Sequence, residues 1–491
     1  METSLIQRLP EELLLHVLAY LDNPSPSEVN LRQEPSLGLT KSNHQDYKNI
    51  ACVSRKLRRL TLPLLFRHTQ VRLDQPVRKE WTKCLLCNAG GLNFRLQTGK
   101  VPPAPDGIDQ YHRDMFENVT AILLKPALPE SPNPSLRESF LTWSTRFYHG
   151  LRDFLDFLTL HELASSVQTF VLSTSNMVSN KRSRFPHLSA MSSDSRQRCS
   201  VEFWEHLLSV LTPERITILA PPVDLACLTT CAIDTSGDWA FGDMDYHALS
   251  LYLPSFPDRN KALPTSRNIL TEHDIYGYLS RRCPGIAGRS ILSLLPWDSI
   301  SINEGAFIKA YATYEYFERG PPSLIHSIKD ALSPRSVYSA RLERISEVPL
   351  QRLRSFTYTG IFPFANHLDL REMLPQLEVL DLQLAPAPGS DILQLPDRVG
   401  KAMMEDLWSE LITVYQHIAS LLATFRISER NMPHLKKFIC RDSKIVNLEA
   451  ELDEVFVPLC LPVWAEIELG VFTRLRGSAD LEEYQNVSWA D

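Results

Sequence analysis

Glycine is scarce in this chain, with 18 in 491 residues where roughly 7% is usual. Loops that cradle phosphate need glycine so that the backbone can approach the ligand closely. No Gly-x-Gly-x-x-Gly and no Gly-x-x-x-x-Gly-Lys-Ser/Thr occurs, since Gly99-Lys100 and Gly400-Lys401 lack the upstream glycine and the downstream hydroxyl. The Gly-x-Ser-x-Gly elbow of hydrolases is absent as well. Long apolar runs are also missing. None approaches the ~18 residues that span a bilayer, and Val457–Trp464 is short and broken by Pro458 and Pro462. No basic segment with an apolar core follows Met1-Glu2-Thr3-Ser4, so no secretory signal is expected. Neither sign of charge dominates: 51 basic and 58 acidic residues leave a net charge of -7. That balance offers no electrostatic footing for nucleic acid or an anionic membrane. Nine scattered cysteines, an odd number, fit a reducing compartment better than a disulfide framework. The expectation is a cytoplasmic and/or nuclear protein that leaves its sequons at Asn118 and Asn486 unused.

What is present is an ordinary globular share of hydrophobic residues, 44%, with a large excess of leucine, 73 in all. At roughly 150 residues per domain the length allows about three domains, or one repeat array with an attachment. The first leucines lie at 5–21. Pro10 suits the first turn of a helix, where its missing N–H costs nothing, and Glu11 and Glu12 favour the positive end of the helix dipole. Leu14, Val17, Leu18 and Leu21 then repeat at spacings of three and four, which predicts one apolar stripe, widened by Leu13. Residues 22–45, opened by Asn23-Pro24-Ser25-Pro26-Ser27, read as an extended loop. A second helix is expected from near Asp46 through Ile50, Val53, Leu57 and Leu60, ended or kinked at Pro63, with Val71–Leu73 as a short strand.

Beyond Gln75 the texture changes to short apolar segments of strand composition, at 119–124, 167–172, 216–219, 353–358, 377–382, 435–440 and 465–469. Helical patterns at 135–163, 200–211, 271–282 and 400–425 lie between them. This alternation predicts α/β units and a parallel sheet. The strand spacing is irregular, and Leu374-Pro-Gln-Leu-Glu-Val-Leu-Asp-Leu382, with its Leu-x-x-Leu-x-Leu pattern, is the best single repeat unit. Stretches 126–134, 173–198 and 386–396 read as surface loops or linkers.

Few residues suggest chemistry. Cys84-Leu-Leu-Cys87, the loose pair Cys227 and Cys231, and His112 fall short of the four ligands that a structural zinc site uses; buried reduced thiols are the expected state. His161-Glu162 begins like a zinc-protease helix but lacks the second histidine. Asp238, Asp243 and Asp245 read as a solvated loop, and the basic run Arg55–Arg59 as a solvated helix face. No catalytic residue, metal or cofactor is expected.

The most specific pattern is Leu9-Pro10-Glu11-Glu12-Leu13-Leu14 … Val17-Leu18-Ala19-Tyr20-Leu21, followed by Ala51-Cys52-Val53-Ser54-Arg55-Lys56-Leu57-Arg58 and Leu62-Pro63-Leu64-Leu65-Phe66-Arg67-His68. It resembles the F-box of fungal-type F-box proteins over about 65 residues, with an interval between Leu21 and Ile50 longer than is usual there. The resemblance implies a small helical module over 1–73, with an inserted loop at about 22–45, that docks onto the Skp-family adaptor of a cullin-based ubiquitin ligase. It implies that Leu9, Pro10, Leu13, Leu14, Val17 and Leu18, with Val53, Ser54, Arg55 and Leu57, sit at or near the adaptor interface. A module this small cannot bury every apolar residue by itself, which leaves part of its first helix available to a partner. Many F-box proteins pair the box with leucine-rich repeats, so 74–491 is expected to be an irregular leucine-rich-repeat-like α/β solenoid that binds a protein target. The resulting expectation is a non-enzymatic receptor of an SCF-type ligase. The alternatives are a leucine-rich scaffold outside ubiquitin chemistry and an enzyme with a cryptic site in the C-terminal part.

Overall fold

The computed structural model describes residues 9–40, 44–73, 151–174, 203–229, 231, 233, 246–254, 290–312, 321–332, 350, 352–423, 434–460 and 464–475. The expected strand at 119–124, the helix at 271–282, Cys84, Cys87, His112 and the Asp238–Asp245 cluster lie outside them.

The chain opens with four helices: α1 (Glu11–Ala19), a single turn α2 (Pro26–Val29), α3 (Gln45–Ala51) and α4 (Arg55–Leu65), with a 3-10 turn at Leu37–Thr40. The single helix expected from Asp46 is two helices. Ser54 is extended at φ -157 and its hydroxyl accepts from the Leu57 N–H, which caps α4 and forces the break. Pro63 does not end the helix; it lies inside α4, which continues to Leu65. Leu14 and Leu18 of α1, Tyr47 of α3, and Leu57 and Leu60 of α4 form a small core of their own. The Tyr47 hydroxyl donates to the Leu18 carbonyl at 3.0 Å, which satisfies a polar group inside it.

Helix α4 leads straight into β1 (His68–Arg72), the edge of one sheet. The following strands are β2 (Thr169–Ser173), β3 (Arg215–Ala220), β4 (His247–Tyr252), β5 (Ser299–Ala306), β6 (Ser355–Ile361), β7 (Val379–Gln383), β8 (Lys437–Cys440), β9 (Trp464–Glu468) and β10 (Val471–Arg474). Among the described residues the sheet has ten strands. They neighbour one another in chain order until the last two exchange places, giving β8-β10-β9. The expected parallel sheet is only partly realised: β1-β2-β3 and β5-β6-β7-β8 pair in parallel, whereas β3-β4-β5 and β8-β10-β9 are antiparallel. Because β1 belongs to this sheet, its hydrogen bonds to β2 run across the division expected at residue 73.

Period-two alternation gives the sheet two unlike faces. Phe170, Leu172, Ile216, Ile218, Leu249, Leu251, Ile300, Ile302, Phe356, Tyr358, Leu380, Leu382 and Phe438 all enter one continuous core. The helices that follow the strands share it, through Leu155 and Leu158 of helix Leu151–Leu160, Leu207 and Leu208 of 203–210, and Leu407 and Leu411 of helix Met404–Ala423. Register places the alternate residues in rows on the opposite face. One row is Val171, Thr217, Ser250, Ser301, Thr357, Asp381 and Ile439; another is Ser173, Leu219, Ala248, Asn303, Thr359 and Gln383.

Residues 22–40, expected as an extended loop, lie folded against this polar face. Leu39 packs with Leu219 and Ala248, and Leu31, Leu37 and Tyr246 enclose them. The Asn303 amide donates to the carbonyls of both Leu31 and Gln33 at 2.7 Å, while its own oxygen accepts from Gly305 N–H at 3.0 Å. Those carbonyls and the apolar side chains find partners on the sheet, so the segment has no reason to remain extended in water. It forms a strap across the polar face of the sheet, from Arg215 of β3 to Asp381 of β7.

Candidate functional site

The ten positions expected at an adaptor interface divide into two groups. Leu14, Leu18 and Leu57 are buried in the helical core and hold α1 against α4. Leu9, Pro10, Leu13, Val17, Val53 and Arg55 are exposed, and Ser54 is spent on the α4 cap. Leu13 is 51% exposed, Val17 58%, Val53 66%, and the neighbouring Tyr20 91%. Leu13, Val17 and Tyr20 follow at spacings of four and three, so they lie along one side of α1, away from the side that buries Leu14 and Leu18, with exposed Leu9 just ahead of its first turn. These side chains leave an apolar strip of α1 uncovered by the rest of the described residues. Tyr20, three residues after Val17, continues this stripe just past the last turn of α1. Two contacts hold the N-terminal ends of α1 and α4 together: Lys56 Nζ donates to the Leu9 carbonyl at 2.8 Å, and Arg59 pairs with Glu11. The basic run Arg55–Arg59 therefore contributes contacts within the helical module as well as a solvated face.

The second surface is the polar face of the sheet. Asp381, almost fully buried, accepts from Arg441 through Nε at 3.1 Å and Nη2 at 2.9 Å, and from Arg32 of the strap at 2.6 Å. Arg215 stands beside Glu28 at 2.9 Å and over the Tyr252 ring at 4.9 Å. Arg398 pairs with Glu34, and Gln70 of β1 donates to Thr40 at 2.7 Å. Every one of these contacts links the strap or the sheet face to another element. None was legible as a pair in the sequence, because the partners are far apart along the chain.

Buried titratable groups elsewhere are consumed by the fold. Asp442 accepts from the Leu384 and Ala385 N–H groups at 2.7 and 2.9 Å and from the Tyr415 hydroxyl, and burial pushes its carboxyl up to about 6. Burial, with Asp442 adjacent, pushes the Cys440 thiol up to about 12. Cys231 is also buried and its thiol is raised, the opposite of what a metal ligand or nucleophile needs. Among the described residues no group of three or more His, Cys, Asp or Glu side chains could hold a metal ion, and no helix is long and apolar enough to cross a membrane.

Neither a protein-family model, nor a curated protein, nor a solved structure matches this chain.

Proposed function

We propose that this protein is a non-catalytic receptor subunit of an SCF-type ubiquitin ligase, localised in the cytoplasm and/or nucleus. The observation that carries the reading is the uncovered stripe Leu13, Val17 and Tyr20 on a helix whose other side is packed by Leu14 and Leu18. That stripe lies within the F-box-like sequence pattern and would dock into a groove of a Skp-family adaptor, which in turn binds a cullin. The rest of the chain would be a divergent leucine-rich-repeat-like array. Strands that neighbour one another in chain order, with their helices gathered on one face, support that reading. The face opposite the helices would hold a protein target. Its mechanism would be proximity: the complex raises the effective concentration of a target lysine at the charged ubiquitin carrier, and this chain itself makes no covalent bond.

The test is capture of the adaptor by the full chain and by Leu13→Asp with Val17→Asp. Both sites are exposed, so the variant keeps the fold and loses the adaptor; undiminished capture would sink the proposal. Co-purification then separates the ligase from a scaffold that uses the same surfaces. Adaptor together with cullin supports the ligase, and adaptor alone supports the scaffold.

A further inference from the structure

A cleft of about 190 Å³ lies between the strap and the polar face of the sheet. Glu28 and Arg32 line it from the strap; Arg215, Ser301, Thr357 and Thr359 line it from β3, β5 and β6. Its walls are rich in donors without acceptors. The Ser301, Thr357 and Thr359 hydroxyls make no hydrogen bond among the described residues, and Thr359 is 2% exposed. Arg32 Nη1 and Arg215 Nε are buried and likewise without a hydrogen-bond acceptor, since Glu28 stands near Arg215 Nε at 2.9 Å without the alignment of a hydrogen bond. A buried donor left unmade is costly, and the two buried guanidinium N–H groups of Arg32 and Arg215, with three unbonded hydroxyls beside them, favour a guest that accepts. The charge balance has the matching sign. Arg32, Arg215 and Arg441 face Glu28 and Asp381 across the same region, which leaves one positive charge uncompensated.

We propose that this cleft binds an oxyanion: a carboxylate or phosphoryl group, carried by a partner's side chain or present as a free small ion. Guanidinium groups and hydroxyls together match that chemistry, because charge-assisted hydrogen bonds to an oxyanion are the strong ones. The site is composite. Half of it comes from the segment inserted between α1 and α3 and half from strands that begin some 175 residues later, so it exists only when the strap is seated. Adaptor capture uses the exposed side of α1 and bears on a different surface, so its outcome does not decide this proposal.

Inorganic phosphate titrated into the full chain, followed by its phosphorus NMR linewidth, tests the site. Saturable broadening is expected. Thr357→Val with Thr359→Val keeps every charge and the strand preference, and should weaken phosphate at least about tenfold, the effect of losing hydrogen bonds to a charged group. Ser301→Ala is the second variant, to be used if circular dichroism shows the first to be misfolded; it should weaken phosphate severalfold. Absence of saturable broadening with the unaltered chain would overturn the proposal. So would unchanged phosphate affinity in a folded variant. Competition with O-phosphoserine and with acetate identifies the source. Displacement by phosphoserine assigns the site to a partner's side chain, displacement by acetate extends it to carboxylates, and binding of phosphate alone assigns it to a free ion.

Discussion

Arg32 reaches Asp381 across 349 positions of sequence and holds it at 2.6 Å, opposite the fork of Arg441. Asp381 is therefore the post to which the inserted segment is tied. It joins the helical module to the far half of the sheet by a route quite separate from the covalent link through β1. Asp381→Ala leaves two guanidiniums without their carboxylate. Both are about a third exposed, so solvent screens part of the loss. The expected cost is about 1–3 kcal/mol in chemical denaturation. Amide exchange should also accelerate over residues 31–40 and stay unchanged in α1.

Asn303 is the second tie. Asn303→Asp keeps the shape and abolishes both donors to the Leu31 and Gln33 carbonyls. It should cost more than Asn303→Ala, for which about 1–3 kcal/mol is expected, because a carboxylate then faces two carbonyls. Equal stability of the two variants would show that the strap leaves the sheet readily.

The two sides of α1 should respond in opposite ways. Leu14→Ala or Leu18→Ala empties part of the helical core and should cost about 2–5 kcal/mol. Leu13→Ala or Val17→Ala should change stability by no more than about 0.5 kcal/mol. Thermal unfolding of the four variants checks the division.

His367 makes stability fall in mild acid. Burial, aided by nearby His326 and Lys329, pushes its imidazole down to about 3, and Nε2 has no partner among the described residues. Between pH 3 and the ordinary histidine value near 6.5 the unfolded chain binds the proton more readily, so stability is complete above about 6.5 and is lost as pH falls. At pH 5 the loss is about 2 kcal/mol. Asp442, raised to about 6, acts with the opposite sign, since its ionisation inside the fold removes stability as pH rises from 3.8 toward 6. Comparing the unaltered chain with His367→Leu cancels the aspartate: the difference in unfolding free energy between pH 8 and pH 5 should shrink by about 2 kcal/mol in the variant.

Gly470 turns the chain between β9 and β10 at φ +73, and a Cβ there would lie 2.2 Å from the Cys440 carbonyl oxygen. Gly470→Ala combines backbone strain with a collision against backbone, so a loss of about 2–4 kcal/mol is expected. Thermal unfolding with tryptophan fluorescence measures it, since Trp464 lies in the adjoining strand.

Much of the fold was legible because it depends on local periodicity. The stripe at 9–21 became α1, the pattern at 400–425 became helix Met404–Ala423, and six expected segments became β2, β3, β6, β7, β8 and β9 within two or three residues. β4, β5 and β10 were missed, although Ser-Ile-Ser-Ile-Asn at 299–303 of β5 alternates at period two and carried the signal. The break at Ser54 was visible in residue type, a cap followed by a helix, but was masked by apolar spacing that continues through it.

Sequence alone determined which residues are apolar, at what period, and hence that α1 has a stripe to bury. It could not determine which side of α1 finds a partner inside the chain, because Leu13 and Leu14 are chemically identical; the positions of Tyr47, Leu57 and Leu60 settle that Leu14 turns inward. Nor could it reveal that residues 22–40 are a strap. Asn, Pro and Ser favour loops wherever they occur, and the reasons this loop is held lie in Asn303, Asp381 and Arg215, hundreds of positions away. Tertiary structure decided both points, because pairing of buried polar groups depends on neighbours in space and not on neighbours in sequence.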